Sequence, residues 1–532
     1  MYRRSLRSIQ CSSLFSTTTT VRSFSYCLAV QIAAAAPPAP PPPPPPRRRR
    51  KYFLLIERSH LPEPDPNSPR LPESTSALVG KRLNLHNKVQ TLIHSGNLDS
   101  ASATAGNAVS SDTRPTVFTC NAVMVSMYSV CRYNDVVHLF HFFFNESNII
   151  PNVISYNTLI KAHCDAGRVD VALDVYRHIL AEAPFSPSPV TYGNLTKGLV
   201  DSNRISEAVD LLREMTSKGD AAESDSVVYN NLISGFLQLG KLDKALELFE
   251  ELRERCSSVN SNYDGVVHAT FMDWYFTNGR EKDAMESYQT LIDRQFAMKP
   301  ATCNALLKVL LRYGKSLEAS TLFDNMLNSH TPPRFHAVNS DTYNIMVNEC
   351  FKLGKISEAM AVFRKTGTKQ GSKPYAMDAA CFNNIMGKLC EHGLVSDAEK
   401  LLQEIMQTKP VIQDFTTYKI FIEVYLKEDD RVDDAIQLFN EMLFKTSLIP
   451  GKGFCDKVFY ELLKKGRLEE ASDILGRMGG REVKPDPTSY EIVITQLSEA
   501  GRLDNARDLL DQMKKYGIAL TPTLRRQYSR KS

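Results

Sequence analysis

The sequence predicts an all-α protein, a right-handed α-solenoid of about twelve helix-turn-helix repeats. A pattern with a period of about 35 residues recurs along most of the chain, and apolar residues within each period are spaced three and four apart, as on a helix. The chain has 532 residues, whereas a single hydrophobic core usually stops growing at roughly 250 to 300. We therefore expect the chain to extend by stacking repeats.

A glycine marks the turn inside most repeats, because glycine accepts the left-handed backbone that ends a helix. These turn glycines are Gly167, Gly240, Gly279, Gly314, Gly354, Gly393, Gly466 and Gly501. Asn203 and Asp429 occupy the same slot in two repeats and are predicted to form the turn there. The first two repeats, with Gly96 and Cys131 in the slot, are less regular.

An alanine follows the turn residue by five positions in most repeats, or by six after Asp429. A methyl-sized side chain at this place is predicted to let the two helices of a repeat approach closely. One such hairpin cannot bury its apolar face alone, so the repeats are expected to stack and share a continuous core. The alanines are Ala101, Ala172, Ala208, Ala245, Ala284, Ala319, Ala359, Ala398, Ala435, Ala471 and Ala506.

The first thirty residues are rich in Arg and hydroxyl side chains and contain no acid, which is typical of an organellar transit peptide. A cleavage pattern at Phe24 favours mitochondria over plastids. A proline-rich spacer follows, and the basic run Arg47 to Lys51 leaves a nuclear address as a less favoured alternative. The predicted organisation is a transit peptide in 1–30, a disordered Ala/Pro-rich and basic linker in 31–81, the repeat array in 82–521 and a basic tail in 522–532.

The net charge of +4 is unevenly distributed, because residues 1–56 hold nine basic residues and no acid. The remainder of the chain therefore carries −5, and a global basic field for non-specific phosphate binding is absent. Any nucleic-acid contact must come from a local groove. The eleven cysteines show neither disulfide-framework nor zinc-ribbon spacing, and no apolar run approaches the ~20 residues of a membrane span.

The repeated phrases VISYNTLI, VTYGNL, VVYNNLISG and KPDPTSYE resemble pentatricopeptide (PPR) repeats, and this resemblance covers about four fifths of the chain. Tetratricopeptide repeats are a poorer match, since they have a period of 34 and a recurrent Trp, of which this chain has one. The segments LPESTSALVGKRLNLHNKVQ and RPTVFTCNAVM more closely resemble a plant subfamily of P-type PPR proteins that includes the editing accessory factor Nuwa. The carboxyl end, LTPTLRRQYSRKS, is shorter than in that subfamily.

The resemblance implies that the fifth and last residues of each repeat touch an RNA base and that the second residue lies between adjacent bases. The pairs with a fifth-position Asn, which in the family implies U or C, are Asn121 with Asn152, Asn157 with Ser188, Asn230 with Asp264, Asn304 with Asn339, Asn344 with Asp378, and Asn383 with Asp414. The other pairs are Gly193 with Asp225, Ala269 with Lys299, Lys419 with Gly451, Asp456 with Asp486, and Glu491 with Thr521. The apolar second residues are Phe118, Ile154, Val190, Val227 and Val266. As an alternative, an Asn near the start of a helix can serve as a cap or turn residue.

These residues predict a non-catalytic organellar factor that binds pyrimidine-rich single-stranded RNA and supports processing such as C-to-U editing. The alternative is a protein scaffold that joins other PPR or editing proteins, which the irregular repeats from Lys419 onward favour. No cofactor, metal, membrane or small-molecule substrate is expected. His138 and His141 lack a Glu partner and a third ligand, and no His-x-Glu or Cys-x-x-Cys motif of a zinc deaminase occurs.

Overall fold

A computed structural model describes most of the chain from residue 72 onward. The described ranges are 72–217, 226–256, 264–293, 299–332, 336–408, 414–446, 448, 450–480 and 485–528. The predicted transit peptide, the first part of the predicted linker and Asp225 lie outside the described residues. The side chain of Asp264 lies outside them as well.

The described residues form twenty-five α-helices and no strand, which confirms the predicted fold class. The helices are α1 (Gly80–His94), α2 (Leu98–Ala108), α3 (Val117–Ser129), α4 (Tyr133–Phe140), α5 (Val153–Asp165), α6 (Val169–Glu182), α7 (Pro189–Asp201), α8 (Ile205–Ser217), α9 (Ser226–Gln238), α10 (Leu242–Cys256), α11 (Asp264–Thr277), α12 (Glu281–Asp293), α13 (Pro300–Arg312), α14 (Ser316–Ser329), α15 (Ser340–Lys352), α16 (Ile356–Phe363), α17 (Ala379–Glu391), α18 (Val395–Thr408), α19 (Phe415–Tyr425), α20 (Val432–Lys445), α21 (Lys452–Lys464), α22 (Leu468–Gly479), α23 (Pro487–Glu499), α24 (Leu503–Lys515) and α25 (Pro522–Tyr528).

The helices α1 to α24 pair in chain order into twelve hairpins, numbered here as repeats 1 to 12, each with a first helix A and a second helix B. Helix A of one repeat also packs against helix A of the next, as α5 does against α7. The A helices are therefore buried on several sides, with nine buried residues in α5, whereas α6 buries four along one stripe. The A helices form the inner layer and the B helices the outer layer of an α-solenoid.

Both ends of the array extend the hairpins into segments predicted as linker and tail. The first helix begins at Gly80, and the Glu73 carboxylate lies 2.6 Å from the Arg82 guanidinium. At the other end, α25 occupies part of the expected tail, and its Leu524 side chain is fully buried. The segments next to the array thus contact it directly.

The turn residues adopt the predicted left-handed backbone. The φ angle is 74° at Gly167, and the two substitutes Cys131 and Asn203 are both at 60°. Asp429 also lies in the connection between α19 and α20, as predicted, but without the left-handed backbone. It opens a short 3₁₀ helix, and its φ is not positive.

The alanines that follow the turns lie between helices A and B, as predicted. Each of the eleven is at most 1% exposed, so no larger side chain fits without separating the helices. The tyrosines before the fifth positions are also buried, with Tyr229 and Tyr490 at 0% exposure. The tyrosine hydroxyl reaches helix B of its own repeat: that of Tyr229 donates to Glu251 at 2.6 Å.

The core contains two clusters of buried side chains that meet on α11. Val267 and Phe271 belong to the amino-terminal cluster, and Ala269 and Met272 to the carboxyl-terminal one. The partly buried Tyr275 packs against both clusters. The repeats are nevertheless stacked without a break here, because α11 packs against both α9 and α13.

The first repeat contacts the junction between repeats 10 and 11. An ideal Cβ placed on Gly451 would lie 3.1 Å from the carbonyl oxygen of Gly96 and 3.5 Å from the Cα of Asn97. An ideal Cβ on Gly96 would lie 3.9 Å from Cε1 of Phe415. The solenoid therefore bends far enough for its first turn to meet its later repeats.

Candidate nucleic-acid interface

At most junctions that the structure describes, the last residue of one repeat is the N-cap of the following A helix. Asn152, for example, accepts hydrogen bonds from the backbone N–H groups of Ile154 and Ser155, both at 3.1 Å. The side chains of Ser188, Asn339, Asp378, Asp414 and Asp486 cap their helices in the same way. Such caps satisfy helix donors that would otherwise lack a partner. The capping role considered for Asn thus belongs to the last positions and not to the fifth ones, which lie inside helix A.

Four fifth-position Asn side chains instead join one repeat to the next. Their Nδ2 groups donate to the neighbouring cap, at Asn121–Asn152 (2.9 Å), Asn157–Ser188 (3.0 Å), Asn304–Asn339 (3.1 Å) and Asn383–Asp414 (2.9 Å). Each Asn Oδ1 accepts from a hydroxyl three residues after the cap, namely Ser155 (2.7 Å), Thr191 (2.7 Å), Thr342 (2.8 Å) and Thr417 (2.8 Å). We call each group of three side chains a junction network.

A junction network leaves part of its Asn amide available. An Asn side chain has two N–H donors and two acceptor lone pairs, and the network uses one of each. The remaining N–H and lone pair form an adjacent donor and acceptor, which is the pattern that a pyrimidine edge can match. A base has only narrow access to these amides, because the four Asn residues are between 1% and 8% exposed.

Two fifth-position Asn residues, Asn230 and Asn344, are only half-buried. Asn344 makes no side-chain hydrogen bond within the described part of the chain, because Cys381 stands where the other junctions have Ser or Thr. The cap Asp378 accepts instead from the Ser340 hydroxyl at 2.5 Å. Oδ1 of Asn230 accepts from Thr270 at 2.7 Å.

The second-position side chains lie beside the fifth positions at the surface. Val227 and Val190 are 57% and 40% exposed, while Phe118, Ile154 and Val266 are half-buried. An ideal Cβ on Gly193, the fifth residue of repeat 4, would lie 3.2 Å from Cγ1 of Val227 in repeat 5. Between repeats 4 and 5, the second residue of one repeat thus lies next to the fifth residue of the preceding repeat.

The ninth residue of helix A lies on the same helix face as the second and fifth, because side chains three and four apart point the same way. In three repeats this residue is a lysine, at Lys161, Lys197 and Lys308. The Lys161 ammonium lies 5.0 Å from the ring centroid of Tyr128, and Lys197 pairs with Asp201. Sequence reasoning missed these lysines, although their spacing of four from the fifth residue pointed to them.

The buried cysteines are packing residues. Burial raises the pKa of both the Cys303 and the Cys455 thiol to about 12, so both stay protonated at neutral pH. In the described ranges, no three His, Cys, Asp or Glu side chains lie close enough to hold a metal ion. No described helix is long and apolar enough to cross a membrane.

Stacked helical hairpins with polar junctions place this protein in the class of helical-repeat solenoids. Family models described as PPR repeat match residues 147–179, 190–220, 227–257, 301–330, 341–366, 380–407 and 488–518, that is, repeats 3, 4, 5, 7, 8, 9 and 12. The protein is a pentatricopeptide repeat protein of the plant type. The hairpins outside these matches have the same helix order, so the structure extends the repeat across the whole array.

The chain is similar to two curated pentatricopeptide repeat-containing proteins of Arabidopsis thaliana. It is 49% identical to one over 87% of this chain and 50% of the relative. It is 35% identical to another, labelled mitochondrial, over 35% of this chain and 44% of the relative. The chain therefore spans about half the length of the curated relatives it matches.

Among solved structures, the chain resembles the pentatricopeptide repeat protein PPR10 from maize, which is also known in complex with an 18-nt psaJ RNA element. The RNA-free structure has a TM-score of 0.31 and 18% identity, over 84% of this chain and 65% of the other. Yeast Rmd9p in complex with a 16-nt target RNA has a TM-score of 0.37 and 11% identity, over 82% of this chain and 97% of the other.

Proposed function

We propose that this protein binds single-stranded RNA along the face formed by the second, fifth and ninth residues of its A helices. The observation that carries this proposal is the exposure of Val190 and Val227 beside the fifth positions of successive repeats. Unstacked bases can lie against exposed aliphatic side chains on an inner face, which would cover their apolar surface.

The same face offers polar groups for base edges and phosphates. The free N–H and lone pair of each junction-network Asn suit one pyrimidine, and the half-buried Asn230 and Asn344 offer more of their amides. Lys308 is exposed and has no ion-pair partner within the described ranges. Since the chain beyond residue 56 carries −5, such lysines provide local charge that the whole array lacks.

More specifically, the role that we propose is that of an organellar RNA-processing factor. Its support is the acid-free, Arg-rich segment 1–30 and a relative labelled mitochondrial. The resemblance to the Nuwa-like subfamily adds C-to-U editing as the favoured process. In this role the protein positions RNA for other proteins and catalyses no reaction itself.

A second candidate function, a scaffold for other PPR or editing proteins, is favoured by repeats 10 to 12. Their fifth residues are Lys419, Asp456 and Glu491, and the Asp456 carboxylate already accepts from the Ser489 hydroxyl at 2.5 Å. These repeats therefore lack the Asn-based base contact. A protein whose first repeats contact RNA and whose last repeats contact protein partners would combine both functions.

The test is RNA binding by the full chain after Val190→Asp and Val227→Asp are introduced together. Covering one exposed valine side chain with a base contributes roughly 1 kcal/mol, and each new carboxylate also repels phosphate, so the double variant should bind a pyrimidine-rich oligomer at least about tenfold more weakly by fluorescence anisotropy. Both residues stand near helix starts, where an Asp is compatible with the helix dipole, so the fold should persist.

Leu317→Asp is the matched control, because Leu317 is 78% exposed on a B helix. It should bind RNA like the unmodified chain. Equally weak binding of pyrimidine and purine oligomers by the unmodified chain, together with co-purification of editing proteins, would favour the scaffold.

A further inference from the structure

An open cleft of about 680 Å³ lies between the A helices of repeats 11 and 12, α21 and α23. Its volume is within the range of about 300–1,000 Å³ that is common for small-molecule sites. Its lining includes Tyr460, Leu463, Lys464, Glu491, Ile492 and Thr495.

The cleft belongs to the face proposed to bind RNA. Glu491 is the fifth and Thr495 the ninth residue of repeat 12, and Tyr460 is the ninth residue of repeat 11. These positions are equivalent to Asn157 and Lys161 in repeat 3. A strand of RNA that follows the face through the earlier repeats would therefore reach this cleft.

Tyr460 is unusual for its position, because the ninth residue is charged, polar or small in most other repeats. Its side chain is 60% exposed, and the half-buried Ile492 lies across the cleft from it. An aromatic ring presented to solvent beside an aliphatic wall is a platform on which a flat base can stack. A base between these two side chains would cover the apolar surface of both.

Two charged groups complete the cleft. The Glu491 carboxylate is half-buried and makes no ion pair or hydrogen bond with any described residue. Lys464 is exposed at the rim and makes no ion pair or hydrogen bond within the described part of the chain, although its charge acts on Asp429. A carboxylate only accepts hydrogen bonds, so it suits a ligand edge that donates, while a lysine at the rim suits a phosphate.

We propose that this cleft binds one unstacked RNA base that carries an exocyclic amine, stacked on Tyr460 and hydrogen-bonded to Glu491. Guanine, cytosine and adenine each present such an amine to a carboxylate. Uracil presents a single N–H between two carbonyl oxygens, which repel the carboxylate. The repeat that lacks the Asn pattern therefore reads a different base. This proposal rests on the proposed RNA-binding function.

The experiment is selection of RNA from a randomised single-stranded pool by the full chain and by three variants. Tyr460→Ala should lose enrichment at one terminal position of the selected motif, and oligomers with that motif should bind about 5- to 150-fold more weakly, as expected for one lost stacking contact. Tyr460→Phe should retain both the enrichment at that position and the affinity for the motif, because the aromatic ring remains. Glu491→Gln should admit uracil at that position, because an amide both donates and accepts.

The control is Leu503→Ala, since Leu503 is 50% exposed on helix B of repeat 12 and lies outside the cleft. Its selected motif should be unchanged, and circular dichroism should show all variants folded. If the unmodified chain enriches no motif, the proposed function fails and this site fails with it. If Tyr460→Ala keeps the complete motif, the RNA-binding function stands and the cleft assignment is wrong. If Tyr460→Ala selects the same RNA motif as the unmodified chain but no longer binds a protein that the unmodified chain binds, the cleft is assigned to that protein partner.

Discussion

At the scale of single residues, the junction networks give the fifth and last positions a structural role in addition to any contact with RNA. A cap, a fifth-position Asn and a hydroxyl form a closed set of hydrogen bonds across two repeats, as in Asn157, Ser188 and Thr191. Substitutions made to change base preference at these positions will therefore also alter stability.

Thr191→Val is expected to lower the free energy of unfolding by about 1–3 kcal/mol, because Oδ1 of the buried Asn157 loses its hydroxyl donor. Urea denaturation followed by circular dichroism measures the change. Thr290→Val is the control, since the Thr290 hydroxyl bonds to a carbonyl of its own turn on an exposed helix surface. An equal effect of both changes would show that the junction network contributes nothing specific.

At the scale of elements, each hairpin depends on a left-handed turn. Gly167→Ala should destabilise by roughly 1–2 kcal/mol, because its φ of 74° is unfavourable for a residue with a Cβ. No atom lies within 4 Å of the added Cβ, so the effect is that of the backbone alone.

Gly387→Ala is expected to raise the stability of the protein, in contrast to Gly167→Ala. Gly387 lies inside α17, where an ideal Cβ would meet only Cδ1 of Ile420 at an ordinary 3.7 Å. Alanine is the better helix former, so stability should rise by about 0.5–1 kcal/mol. Thermal unfolding of both variants measures the contrast, and a loss of stability in both would contradict it.

The alanine between the helices of a hairpin is equally sensitive. Ala245→Asp would place a carboxylate at a site with 0% exposure and no partner, and it should cost several kcal/mol or prevent folding of repeat 5. Ala181→Asp, at an exposed site near the end of α6, should change stability by less than about 1 kcal/mol. Denaturation followed by circular dichroism measures the stability of the two variants. A similar loss of stability in both would contradict the proposed packing role of Ala245.

At the scale of the whole molecule, the contact between repeat 1 and the junction of repeats 10 and 11 limits how far the solenoid opens. Gly451→Leu should separate the two, because even a Cβ would lie 3.1 Å from the carbonyl oxygen of Gly96. Small-angle X-ray scattering should then give a larger radius of gyration with unchanged helix content.

Gly453→Leu is the control for this change, because an ideal Cβ at Gly453 meets nothing within 4 Å. It should leave the radius of gyration unchanged. If Gly451→Leu also leaves it unchanged, the contact does not hold the array in solution.

The sequence by itself determined the repeats, because helices, turns and the apolar stripe depend on residues within one period. Asp429 was placed in the turn of its repeat, but the 3₁₀ helix that it opens was not predicted, because local propensity does not specify how a helix ends. The second and fifth residues could be numbered from the repeat as soon as its period was known. The solvent accessibility of these residues could not be derived from the period.

Only the tertiary structure decided which fifth-position Asn residues are enclosed in junction networks. This depends on a hydroxyl in the next repeat, present at Thr417 and replaced at Cys381, and on the approach of two A helices that are far apart in sequence. The same holds for the cleft at Tyr460 and for the contact of Gly451 with Gly96. Each arises from small rotations added from repeat to repeat, which local residue patterns do not specify.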